Sequence, residues 1–156
     1  MLRRFTSTVT NRVDAKGRVS IPSSFRKVLA AEEGEENLVY LRPNPMGEPV
    51  IEGFGQSFLD RLAEFADEDP TFGDYDSVGD LLAGSIHPAQ VDEAGRIVLP
   101  RDLRIVADIG EEATFVGQFT KFAIWNPAAY AAWKAENDEA SRARLRALQA
   151  ARRGAS

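Results

Sequence analysis

Cysteine is absent from the 156 residues, so neither a disulfide nor a thiolate metal ligand can form, which agrees with a reducing compartment. Histidine is nearly absent. The single one, His87, is followed at once by Pro88 and has no partner motif near it in sequence. It reads as a strand-entry residue rather than a general base, and no enzyme activity is expected. No run approaches the ~20 apolar residues that cross a bilayer. The opening Met1-Leu2-Arg3-Arg4-Phe5 passes into Thr-rich polar sequence rather than an apolar signal core, so a cytoplasmic protein is expected. The acidic stretch Asp67 to Asp76 lacks what a calcium loop needs. Counted from Asp67, the sixth position holds Phe72 instead of glycine and the twelfth holds Val78 instead of glutamate. No metal and no cofactor are expected.

What the chain does contain is one segment written twice. Val13-Asp14-Ala15-Lys16-Gly17-Arg18-Val19-Ser20-Ile21-Pro22-Ser23-Ser24-Phe25-Arg26 returns 78 positions later as Val91-Asp92-Glu93-Ala94-Gly95-Arg96-Ile97-Val98-Leu99-Pro100-Arg101-Asp102-Leu103-Arg104. Val, Asp, Gly, Arg, Pro and the final Arg are identical, and apolar positions stay apolar. Two copies of one supersecondary unit follow. In each, the Asp can bond its own backbone two residues on, and Gly17 or Gly95 supplies a positive φ, so a tight hairpin turn is predicted. The alternating Arg18-Val19-Ser20-Ile21 and its apolar counterpart Arg96-Ile97-Val98-Leu99 read as strands ended by proline. Short helices follow over Ser23 to Ala30 and Arg101 to Ala107, with Gly34 and Gly110 marking their exits. Further strands are expected at Leu38 to Leu41, Val50-Ile51, Thr114 to Gly117 and Phe119 to Trp125. Below roughly 70 to 80 residues a core stabilises little on its own, so the halves must pack on each other or on other subunits.

Between the copies, Phe58, Leu62 and Phe65 share one face of a packing helix, an acidic linker follows, and a short helix over Ser77 to Ala83 leads into the second copy. The C-terminal run opens with Asn126 as N-cap and Pro127 at the first helical position. Its Ala- and Arg-rich end is expected to fray or to serve as a mobile basic arm. The resulting division is a first repeat at 5–54, a helical and acidic connection at 55–84, a second repeat at 85–128, and a C-terminal helix and tail at 129–156.

The net charge of −5 is distributed unevenly. Residues 1–31 carry seven bases against Asp14 alone, residues 32–93 carry sixteen acids against Arg42 and Arg61, and residues 94–156 carry ten bases against seven acids. A polyanion responds to the local basic field more than to the global count, because salt screens beyond ~8 to 10 Å.

The two Asp-x-x-Gly-Arg segments, together with Val116-Gly117-Gln118-Phe119-Thr120-Lys121-Phe122-Ala123-Ile124-Trp125, resemble the MraZ family of bacterial transcriptional regulators, over about Phe5 to Lys134. The resemblance implies a mostly β chain with short helices (α+β). It implies two tandem AbrB/SpoVT-like swapped-hairpin repeats of β-barrel type plus a C-terminal helix. It also implies a ring-shaped, octamer-like homo-oligomer on direct repeats in double-stranded promoter DNA, at the head of the division and cell-wall gene cluster. The family's Asp-x-x-x-Arg motif falls on Asp14/Arg18 and Asp92/Arg96. The residues themselves fit this. Arginine can bridge guanine O6 and N7 while lysine acts as a point charge on phosphate. Arg18 is therefore expected to contact both base and phosphate, Arg12 and Lys16 to bind backbone, and Asp14 to hold the turn or aim Arg18; the plainer alternative makes Asp14 and Arg18 a structural pair across the turn. The second turn has Glu93 and Ala94 in place of Ala15 and Lys16 and is the weaker candidate. The competing reading is an antitoxin-like or scaffold module of the same fold, whose partner is a protein.

Overall fold

The computed structural model describes residues 4–32, 37–68 and 79–155. In chain order it contains β1 (Thr8–Arg12), β2 (Arg18–Ser20), α1 (Ser23–Ala31), β3 (Leu38–Pro43), β4 (Ile51–Phe54) and α2 (Gln56–Glu68). A single π-type turn, α3 (Asp80–Gly84), leads to β5 (His87–Gln90), β6 (Arg96–Val98), α4 (Arg101–Val106), β7 (Glu112–Gly117), β8 (Phe122–Trp125) and α5 (Pro127–Gly154). The chain divides into two compact units, Met1–Asn126 and Pro127–Ser156.

Both repeats lie inside the first unit, interleaved rather than side by side. Six strands form one antiparallel sheet in the order β1-β7-β8-β4-β3-β5, and β2 pairs with β6 as a separate ribbon. Exchanging each strand for its counterpart in the other repeat reverses the sheet order onto itself, the topology of a pseudo-two-fold pair. At the ribbon's centre Val19 faces Ile97, and both side chains are buried. The ribbon is flanked by symmetric bonds, from Ile21 N–H to Gly95 O at 2.9 Å and from Leu99 N–H to Gly17 O at 2.9 Å.

The predicted turns form, and the strands leaving them exchange partners between repeats, the swapped-hairpin arrangement that the resemblance implies. In the first repeat, the backbones of β1 and β2 pair at the turn, through the Val13–Val19 bridge and the bond from Asp14 N–H to Arg18 O at 3.0 Å, and Asn11 Nδ2 donates to the Ser20 carbonyl at 2.8 Å. Beyond it β1 runs along β7, with Thr8 opposite Val116 and Arg12 opposite Glu112, while β2 crosses to β6. The physical reason is the core. Phe5, Phe25, Ile21 and Val19 from one repeat bury themselves with Phe115, Phe122, Ile97, Leu99 and Leu103 from the other. The rings of Phe5, Phe25 and Phe122 pack within 5.1–5.5 Å of one another. Neither half could close such a cluster alone.

Local expectations fare well where the chain decides them within a few residues. Pro22 and Pro100 immediately precede α1 and α4 as cap residues, and the Pro22 carbonyl accepts the Phe25 and Arg26 amides at 2.9 and 3.0 Å. Pro88 falls in β5, an edge strand that has one neighbour, where the missing N–H does no damage. Other expectations are corrected. The left-handed residue after α4 is Asp108 (φ 51°), not Gly110. The strand expected from Phe119 begins at Phe122, because Phe119 (φ 65°) occupies the tight turn between β7 and β8. On α2 no side chain is fully buried and Phe65 is 56% exposed, so only part of the apolar face packs, with Phe58 against Phe54 at 4.8 Å. Gly34, the start of the Ser77 helix and the acidic linker from Asp69 to Asp76 lie outside the described residues.

The second unit is a helix of 28 residues running unbroken through the Ala- and Arg-rich end expected to fray. Alanine and arginine are strong helix formers. Lys134 also pairs with Asp138 at 3.1 Å and Arg146 with Glu139 at 3.0 Å. No helix among the described residues is long and apolar enough to cross a membrane.

Candidate nucleic-acid interface

Each repeated segment folds into the same small device. Asp14 Oδ1 accepts the amides of Lys16 and Arg18, both at 2.9 Å, while its Oδ2 accepts Arg18 Nε at 2.7 Å. The Asp14 carbonyl accepts the Gly17 amide at 3.0 Å, and Gly17 takes φ +82°. One carboxylate therefore ties down both the turn's backbone and the root of the arginine that leaves it. The second copy repeats the arrangement. Asp92 Oδ1 accepts the Ala94 and Arg96 amides at 2.9 Å, Arg96 Nε reaches Oδ2 at 3.2 Å, and Gly95 has φ +80°.

Both carboxyls are held below the ordinary aspartate range. The largest cause is the backbone N–H of Arg18 on Asp14 and of Arg96 on Asp92; for Asp14 the Arg18 side-chain bond comes next. Hydrogen bonds to the charged form favour it. Since unfolded aspartate titrates near ~3.9, a depressed folded value means the turn's stabilisation is fully present above that pH. It is lost as the pH falls through the folded value. The Lys16 and Arg18 amide resonances should accordingly stay constant from neutral pH to about pH 5 and move together only below about pH 4. A common midpoint above the ordinary carboxylate value would contradict the clamp.

The two turns differ in charge. Arg12 and Lys16 are exposed and Arg18 is half-exposed, and the guanidinium of Arg104, arriving from α4, adjoins Gly17. Against these four cations stands Asp14, with Glu112 across the sheet from Arg12. In the second copy, Gln90, Glu93 and Ala94 replace Arg12, Ala15 and Lys16. Arg96 and the adjoining Arg26 face Asp92 and Glu93 there, which leaves no local excess of positive charge.

Sequence reasoning placed Arg12, Asp14, Lys16 and Arg18 in one segment, and the fold keeps them around one turn. It passed over Arg26 and Arg104, although their recurrence as the final residue of each copy was the available signal. It also passed over a buried ion cluster behind the sheet. Arg42 and Glu52, each 3% exposed, face each other across β3 and β4. Arg42 Nε and Nη2 both lie 2.9 Å from Glu52 Oε1, and Lys121 Nζ lies 2.6 Å from Oε2. His87 stands at the start of β5 with Nε2 3.3 Å from Asp102 Oδ2. Among the described residues no group of three or more His, Asp or Glu side chains could hold a metal ion.

The family model described as "MraZ protein, putative antitoxin-like" matches residues 83–152. The chain is 42% identical over 154 residues to the transcriptional regulator MraZ of Gluconobacter oxydans, covering 97% of this chain and 91% of that relative. It is 44% identical over 125 residues to the protein of the same name from Beijerinckia indica, covering 80% and 74% respectively. Its identity to the one from Rhodospirillum rubrum is 39% over 145 residues, covering 90% and 91%.

Proposed function

The chain belongs to the MraZ family, and from that premise we propose that it is a DNA-binding transcriptional regulator and not an enzyme. The reading is carried by the carboxylate-clamped cationic turn. Asp14 fixes the backbone from which Arg18 projects, and a preset guanidinium can bridge guanine O6 and N7 without first losing conformational freedom. Arg18 reads the base edge and touches phosphate, and Arg12 and Lys16 bind backbone phosphates. Asp14 holds the turn. Asp92 and Arg96 form the homologous second contact, weaker because Glu93 offsets it.

One turn that neutralises a few phosphates gives salt-sensitive, poorly selective binding. Specificity then comes from assembly. Chains close into a ring-shaped, octamer-like homo-oligomer that engages successive direct repeats of double-stranded promoter DNA at high effective concentration. The targets are the division and cell-wall gene cluster, including its own operon, bound in the cytoplasm at the nucleoid, with repression as the outcome. The division into repeats at 5–54 and 85–128, a connection at 55–84 and a C-terminal segment at 129–156 belongs to this proposal, the repeats supplying the turns.

Titration of the oligomer on DNA bearing one repeat and on DNA bearing three, with mass followed by light scattering, tests the reading. At physiological salt the three-repeat site is expected to bind at least about 100-fold tighter, the lower end of the avidity range. Equal affinity for both would overturn it. The alternative, an antitoxin-like or scaffold module whose partner is a protein, expects no retention of either DNA.

A further inference from the structure

We propose that Arg104, carried by the second repeat, is a positioning residue for the DNA-contacting turn of the first. The inference rests on the DNA-binding reading of the Arg18 turn given above.

Gly17 is gripped from two directions, and both grips come from the other repeat. Its carbonyl accepts the Leu99 amide at 2.9 Å. Over its Cα lies the guanidinium of Arg104, so close that a Cβ added at Gly17 would sit 2.9 Å from Arg104 Cζ and 3.0 Å from Nε. That guanidinium is itself anchored, because Arg104 Nε donates to the Leu99 carbonyl at 3.1 Å. Leu99 thus holds Gly17 with its N–H and Arg104 with its C=O, and the three residues form one unit across the β2–β6 ribbon. Glycine at position 17 answers two demands at once: a φ of +82° and room for a planar cation. The peptide fixed in this way directly precedes Arg18, whose amide and Nε are bound by Asp14. Asp14 sets the turn from within, and Arg104 sets it from outside.

The pseudo-two-fold mate is Arg26, whose guanidinium a Cβ at Gly95 would strike. Arg26 is exposed, whereas Arg104 is half-buried. Arg26 also serves the turn without excess positive charge. The same architecture therefore supplies an internal control, since Arg26 should matter for the second turn's order and little for DNA.

The experiment uses the full-length oligomer with three-repeat DNA, comparing Arg104→Ala, Arg104→Lys and Arg26→Ala. Lysine keeps the charge but loses the planar face and the Nε donor. Both Arg104 variants are expected to bind about tenfold more weakly while the slope of log affinity against log salt stays at the wild-type value, because no phosphate contact is removed. Amide exchange at Lys16 and Arg18 should accelerate about tenfold, with Ala94 and Arg96 unchanged. Arg26→Ala should show the converse in exchange and lower affinity only slightly, because the contact it braces is the weaker one. Wild-type affinity for Arg104→Lys would overturn the inference in favour of simple charge, and a slope reduced by about one would make Arg104 a phosphate contact instead. Unchanged exchange at Lys16 and Arg18 would overturn it as well. If wild-type protein ignores the DNA while Arg104→Ala still loosens the first turn selectively, the DNA-binding reading fails and the structural coupling stands.

Discussion

Arg18→Ala is expected to lower affinity for three-repeat DNA by at least about 100-fold, while Arg96→Ala lowers it less than about threefold. A bidentate arginine–guanine contact contributes ~1 to 3 kcal/mol of discrimination, and tenfold in affinity corresponds to about 1.4 kcal/mol. Each subunit bound to the repeats loses its own contact, so the loss accumulates across the site. Folding should hardly notice. Arg18 and Asp14 form a half-exposed pair, and solvent screening leaves such a pair little weight in stability. The neighbouring Val19 and Ile21, which anchor β2 in the core, are untouched. Fluorescence anisotropy on labelled repeat DNA, with light scattering to verify unchanged mass, separates the two effects. Binding by Arg18→Ala equal to that of the wild type would remove the central contact from the proposal. A loss for Arg96→Ala as large as that for Arg18→Ala would show the charge difference between the turns to be irrelevant.

Glu52→Ala is expected to destabilise the fold by about 3 to 5 kcal/mol, the cost of leaving a buried charge without its partner. Arg42 is the charge in question. It donates twice to Glu52 Oε1 and lies 5.5 Å from the Phe54 ring centroid and 5.7 Å from that of Phe58. Aromatic faces attract the guanidinium but cannot neutralise it. Lys121, in the turn that begins β8, loses the same carboxylate. For a chain of this length, each kcal/mol moves the melting temperature by about 2 to 4 °C, so a drop of roughly 6 to 20 °C should appear in a thermal melt followed by circular dichroism. A melt within about 2 °C of the wild type would mean that water or relaxation replaces the carboxylate. Replacing Arg42, Glu52 and Lys121 together by apolar residues of similar volume should cost far less than the single change, because no charge is then stranded.

The residue signals that were legible are those whose cause is local. The reach of an aspartate to the amide two positions on was expected from the sequence and is found at 2.9 Å in both copies. The positive φ of Gly17 and Gly95 and the helices starting just after Pro22 and Pro100 are of the same kind. Each depends on a handful of consecutive residues, and each is reproduced where the segment is repeated. The candidate site was legible to the same extent, as Arg12, Asp14, Lys16 and Arg18 occupy seven consecutive positions.

Partner choice among strands was not legible in the polar and apolar pattern, although the family resemblance implied exchanged hairpins, and the residues whose roles depend on it were not legible either. The repeats share one alternation of polar and apolar side chains, so from the pattern alone β2 could pair with β1 or with β6. Burial decided the matter, since only the exchange lets Phe5, Phe25, Phe115 and Phe122 close a single core from two halves too small to bury one each. Arg104 meets Gly17 across 87 positions, and Lys121 meets Glu52 across 69. The sequence by itself determined the duplicated, clamped turn and the cations on it, because backbone sterics and short-range hydrogen bonds act within a few residues. Tertiary structure alone decided which repeat braces which turn and where the charges are buried, because those outcomes depend on shared apolar area and on distances that close only after the chain has folded.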